Sequence, residues 1–148
     1  MSLERLSDLD IYDGGMEHFK PEEFVCKCGC GGGVVRHLVA LLQNIRNEAG
    51  VPIIVTSGYR CEAHNSRVGG KPGSMHTFGR AVDVALSHAA AYIAIAHVYR
   101  RGSSVTGIGV RQHGSRRYLH IDVHPRAVPA TRPVPRCLLY TSPSPRDS

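Results

Sequence analysis

Apolar residues recur at three- and four-residue spacing from Val34 onward: Val34, Val35, Leu38, Leu41, Leu42 and Ile45. That period marks one face of an amphipathic helix, and Gly50 stands where such a helix stops. The next stretch, PIIVTSGY (52–59), is short and β-branched, the pattern of a buried strand. RAVDVAL (80–86) alternates with period two and reads as a second strand. Ser87 can cap a second helix over about 88–101, with Gly102 as its stop. Segments 107–112 and 118–124 read as two more strands joined by a turn at 113–116. Near the start, Pro21 suits the first position of a helical turn, followed by Glu22 and Glu23. CKCGCGGG (26–33) is too glycine-rich for a regular element, and 61–73 reads as a polar loop. Together these elements predict one small α+β domain, with helices on one face of a mainly antiparallel sheet.

Composition narrows the picture. At 148 residues and 42% hydrophobic, the chain fits one domain with a modest core. It has no Trp and few aromatics, so branched aliphatics and Ala are expected to do most of the packing. A formal charge of +6 points to an anionic partner (nucleic acid, membrane surface or wall polymer) or serves solubility alone. No basic run interleaved with aromatics appears, so nucleic acid is not an expected partner. No apolar run approaches the ~20 residues of a membrane span. The N-terminus lacks an apolar signal core, so synthesis in the cytoplasm is expected, with release or delivery needed for any action outside. The last twelve residues, CLLYTSPSPRDS (137–148), resemble a translated sequencing adaptor. A domain over 1–136 and a disordered tail over 137–148 are therefore expected, with Cys137 set aside. Segment 125–136, rich in Pro and Arg, is expected to wrap the surface as irregular chain.

The chemistry concentrates in SMHTFGRAVDV (74–84) and YLHIDVH (118–124). Along 80–86, Val82, Val84 and Leu86 share the core face while Ala81, Asp83 and Ala85 share the other. Gly79 lets the chain fold His76 back over the start of that strand. Along 118–124, His120, Asp122 and His124 share one face, a costly arrangement unless something neutralises or solvates them. If the two strands pair antiparallel, His120 meets Asp83, with His76 above. Two imidazoles, one carboxylate and an open fourth position describe a catalytic zinc site. Such a site needs a carboxylate to take a proton from water, and Asp122 is the candidate. The alternative for Asp122 is a group that orients His120. With nine histidines in the chain, a chance pairing of His and Asp is the alternative for the site itself.

The pattern S-x-H-x-x-G-x-A-x-D, met by Ser74, His76, Gly79, Ala81 and Asp83, resembles the zinc D-Ala-D-Ala carboxypeptidases. Phage L-Ala-D-Glu endolysins and the metal-binding domain of hedgehog proteins share that likeness. SGYRC with His64 and Asn65, HIDV (120–123) and HFKPEEFVCKCGC (18–30) resemble the phage-type branch. The resemblance spans about 18–124. It implies a hedgehog-like metallopeptidase fold and one catalytic Zn2+ held by His76, Asp83 and His120. It implies a peptidase acting on D-amino-acid-containing stem peptides of peptidoglycan, as a monomer, in a phage lysin, a tail component or a cellular enzyme. Arg60 would match an arginine that stabilises an oxyanion or a substrate carboxylate, and Ser74 a serine that hydrogen-bonds substrate. An ion pair within the loop is the alternative for Arg60, and a plain turn role for Ser74. One position departs: several members carry an acid three residues before the last histidine, where this chain has Arg117. That departure keeps open a second reading, a non-catalytic zinc-containing domain that binds cell wall or a partner. Cys26, Cys28, Cys30 and Cys61 admit three states: a disulfide to Cys61, a second metal site, or free thiols.

Overall fold

The computed structural model describes residues 9–101, 105, 107–123 and 136–139. Helix α1 (Arg36–Ala49) ends where Gly50 adopts the left-handed conformation, φ 69°, and returns its N–H to Arg46 O. Leu38, Val39, Leu42 and Ile45 on its inner stripe are fully buried. Helix α3 (His88–Arg101) packs against α1 through Ala91, Ala94 and Val98. Ser87 accepts the Ala91 N–H with its carbonyl, while its hydroxyl lies 3.1 Å from His88 Nδ1. Gly102 lies outside the described residues.

Strands β1 (Ile54–Ser57), β2 (Ala81–Ala85), β3 (Gly107–Arg111), β4 (Tyr118–Asp122) and β5 (Arg136–Leu139) form one sheet in the order β1-β2-β4-β3-β5. The first four are antiparallel, as the α+β reading expects. Val82, Val84, Ile108, Val110, Leu119 and Ile121 alternate onto one face and join the helices in a single core. Burying each such side chain favours folding by about 1.5–3 kcal/mol relative to leaving it in water. The same alternation delivers Asp83, His120 and Asp122 to the opposite face.

Several local features differ from the sequence reading. β1, expected as a buried strand, is an edge strand with Ile54 exposed and none of its residues buried. Residues Glu62–Arg67, expected as loop, form the short helix α2. Its one buried residue is Asn65, so no apolar stripe announces it. Aliphatics and Ala make up most of the core, as expected; Tyr12, Phe19 and Phe24 are buried beside them, with Tyr12 and Phe24 in an edge-on contact at 5.9 Å. They belong to the N-terminal segment, in which Pro21–Glu23 is a 3-10 turn. Finally, β5 takes Cys137, Leu138 and Leu139, the start of the expected tail, into a parallel ladder with β3. His124, the segment 125–135 and the remaining tail, 140–148, lie outside the described residues. Among the described residues no helix is long and apolar enough to cross a membrane.

Candidate metal centre

The polar face of β2 and β4 builds the site. Register pairs Asp83 directly with His120, so the two side chains rise from opposed positions. His76 arrives from a 3-10 turn, Met75–Phe78. Ser74 caps that turn, its hydroxyl accepting the His76 N–H at 3.3 Å. Gly79 closes the turn in the left-handed conformation, φ 66°, which returns the chain to β2 with His76 above Asp83.

Three donor atoms converge. Asp83 Oδ1 lies 3.3 Å from His76 Nε2 and 2.9 Å from His120 Nδ1. All three atoms fall within 4.8 Å of one another. Nitrogen and oxygen donors at roughly 2.0–2.1 Å from a tetrahedral ion stand about 3.3 Å apart, so the spacing and the donor types fit zinc. Backbone and side-chain partners aim each donor. His76 Nδ1 donates to Gly58 O at 2.7 Å, which turns the lone pair of Nε2 toward Asp83. His120 Nε2 donates to Asp122 Oδ2 at 2.9 Å, which turns Nδ1 the same way.

Electrostatics follow the geometry. Burial alone would raise the Asp83 carboxyl, but hydrogen bonds and charge from His120 and His76 hold it well below the usual carboxylate range. Burial alone would lower His120. The carboxylates of Asp122 and Asp83 outweigh that and push it up to about 9. An ionised carboxylate flanked by two imidazoles is a setting that favours a cation.

Arg60 is fixed at three points: Nε donates to Ser57 Oγ at 2.9 Å, Nη1 to Asn65 Oδ1 at 3.1 Å and Nη2 to Asp83 Oδ2 at 3.3 Å. Its first role is therefore to orient Asp83. A guanidinium has five N–H donors, and these bonds use three. Arg60, Ser74, His76, Asp83, His120 and Asp122 all line one open cleft of about 500 Å³. A larger hollow of about 570 Å³, beside Glu48 and His97, brings together no such set of donors. Arg117 does not line the cleft; it bonds Gly114 O and His88 at the surface. Asp83 and Asp122 are the two carboxylates among the residues that line it.

The cleft also contains residues that pattern reading passed over. Lys71 and Tyr118 line it. Gly107 and Gly109 of β3 stand in register with Asp122 and His120. A Cβ on Gly107 would come within 2.9 Å of Asp122 Oδ2, so glycine there makes room for the carboxylate. The signal available in the sequence was the alternation G-I-G-V-R beside a strand of polar residues.

A family model described as Peptidase M15 matches residues 17–122. No curated protein matches the chain.

Proposed function

The chain belongs to the peptidase M15 family of metal-dependent peptidases, and from that membership we propose a zinc peptidase that hydrolyses D-amino-acid-containing peptides of bacterial peptidoglycan. The observation that carries the reading is the convergence of His76 Nε2, Asp83 Oδ1 and His120 Nδ1 at the base of an open cleft. These three atoms would hold one Zn2+. Bound there, zinc supplies Lewis acidity: it polarises a carbonyl and brings the pKa of water down to roughly 7.

The chain's own residues would do the rest. Asp122 is the lining carboxylate left once Asp83 is assigned to the metal, and it takes the proton from water. Arg60, anchored on Ser57 and Asn65, presents its remaining donors to an oxyanion or a substrate carboxylate. Lys71 adds a second positive charge to the same cleft, which suits the anionic stem peptides. Ser74 offers its hydroxyl to substrate from the rim of the His76 turn. Gly109, which also lines the cleft, puts no side chain in the way of a substrate backbone. Carboxypeptidase and endopeptidase action on the wall both suit a cleft of this kind, in a lysin, a tail component or a cellular enzyme.

The test is digestion of purified peptidoglycan by the zinc-loaded chain, beside a His76→Ala variant. Mass spectrometry of released fragments names the bond. Fragments from the parent and none from the variant are expected. Bound zinc with no fragment from any wall type would overturn the peptidase reading. That result would favour a wall- or partner-binding domain, a reading supported by one observation: Asp122 Oδ2 is already engaged by His120 Nε2.

A further inference from the structure

A second cluster of donors lies outside the cleft. Cys26, Cys28, Cys30 and Cys61 bring their four sulfurs within 4.8 Å of one another. Cys26 Sγ is 3.3 Å from Cys28 Sγ and 3.8 Å from Cys61 Sγ, and Cys28 Sγ is 3.6 Å from Cys61 Sγ. None of the four is joined in a disulfide. A disulfide needs about 2.05 Å between sulfurs. A tetrahedral ion with zinc–sulfur bonds of about 2.3 Å sets its four sulfurs about 3.8 Å apart. The measured separations lie near that edge length and far from a bond.

The backbone is shaped to deliver these thiols. A tight turn joins Cys26 to Gly31, with Cys26 N donating to Gly31 O at 3.0 Å and Gly29 N to Cys26 O at 3.1 Å. Gly29 and Gly31 hold φ of 91° and 96°, values that a side chain would resist. These glycines explain how C-x-C-x-C, tighter than the usual metal-binding spacing, folds three thiols to one side. Backbone N–H groups also point at sulfur: Cys61 N at Cys26 Sγ and His64 N at Cys61 Sγ, both at 3.4 Å. Such bonds strengthen when the acceptor is a thiolate.

We propose that Cys26, Cys28, Cys30 and Cys61 hold a second zinc ion as a four-thiolate structural site. It joins the N-terminal segment to the residue that follows Arg60. The clamp sits behind the cleft: Tyr59 N donates to Phe24 O at 2.9 Å, Arg60 N to His76 O at 3.1 Å, and Gly58 O receives His76. Securing Cys61 therefore fixes the stretch from which both Arg60 and the His76 acceptor project.

The test uses the full chain carrying Cys137→Ser, so that these four are its only thiols. Two zinc ions per chain are expected, with all four thiols protected from alkylation until a strong chelator is added. A His76→Ala/His120→Ala variant should lose one zinc and, loaded with cobalt, keep the sulfur-to-cobalt charge-transfer band. Cys61→Ser should lose one zinc and that band. If Cys61→Ser does not fold, the cobalt spectrum of the histidine variant decides alone. The proposal is overturned by zinc no higher than one per chain with four reactive thiols. It is equally overturned by a mass deficit showing disulfides, or by a cobalt spectrum without thiolate character. None of these readouts depends on peptidase activity.

Discussion

Asp122 separates two roles that one residue could play. Its Oδ2 receives His120 Nε2 at 2.9 Å, and it lies in the same cleft as the three converging donors. Asp122→Asn keeps an oxygen able to accept the His120 proton but loses basicity. Zinc content should then stay near that of the parent. Losing a general base costs about 10²–10⁴ in rate, or about 3–5 kcal/mol of transition-state stabilisation. Asp122→Ala removes the hydrogen bond as well. His120 then loses the partner that fixes its tautomer, and zinc affinity should fall about 10–100-fold. The assay measures kcat and KM on a peptidoglycan-derived peptide at saturating zinc, with zinc affinity from competition against a chromophoric chelator. The diagnostic outcome is a split: the Asn variant slow but metal-replete, the Ala variant slow and metal-poor. If the Asn variant keeps near-parental kcat with zinc bound, Asp122 is a positioning residue and the proton goes elsewhere. If both variants bind zinc as the parent does, the hydrogen bond to His120 does not shape the site.

Arg60→Lys keeps the charge but cannot reach Ser57, Asn65 and Asp83 together. Turnover should fall tenfold or more, in line with a lost oriented donor; near-parental kcat/KM would contradict the assigned role. Gly58→Ala places a Cβ 2.7 Å from Phe24 O, and the backbone must shift. A stability loss of about 1–3 kcal/mol in urea unfolding and weaker zinc binding are expected together, because Gly58 O holds His76. Glu48 is held below its ordinary carboxyl range by hydrogen bonds from His97 and Arg100 and by the Arg100 charge. A depressed folded pKa means that its contribution is present above the unfolded value of about 4.3 and fades as pH falls through the folded value. Glu48→Gln should therefore unfold at lower urea than the parent at neutral pH and match it in strong acid. A gap that stays constant from pH 7 to pH 3 would refute the linkage.

Where pattern and period coincide, the sequence was informative. Alternation along RAVDVAL put Val82 and Val84 on the core face and Asp83 on the other, and alternation along YLHIDVH put His120 and Asp122 on one face; in the structure these three polar residues line the cleft. The Asp83–His120 pairing was conditional on the two strands lying antiparallel, and the sheet supplies that register. What stayed hidden has no periodic signature. Gly58 O is a backbone atom, so no residue type reports it as the partner of His76. The anchoring of Arg60 by Asn65 depends on α2, a helix too short and too polar to show an apolar stripe. The aromatic corner of Tyr12, Phe19 and Phe24 is spread over thirteen residues of irregular chain, where neither helix nor strand spacing applies. The parallel pairing of β5 with β3 joins segments distant in sequence, and nothing in the twelve-residue tail marks it.

The Gly58 acceptor, the Asn65 anchor and the aromatic corner at Phe24 all bear on the site. A strand pair can present Asp83, His120 and Asp122, but it cannot fix their rotamers. A polar face exposed to solvent would let each side chain wander, at a cost to any site needing donors within a few tenths of an ångström. The rigidity comes from behind. His76 is tied to Gly58, Arg60 to Ser57 and Asn65, Tyr59 to Phe24, and Cys61 to Cys26. Gly58 lies so near the Phe24 backbone that no side chain fits between them. Phe24 and Cys26 thus brace the stretch from Gly58 to Cys61 from behind the cleft. It follows that removing residues 1–24, which takes no atom from the cleft and leaves all four clustered thiols in place, should weaken zinc binding at His76, Asp83 and His120 as well as stability. Unchanged zinc affinity in such a truncation would separate the segment from the site and confine its role to the core.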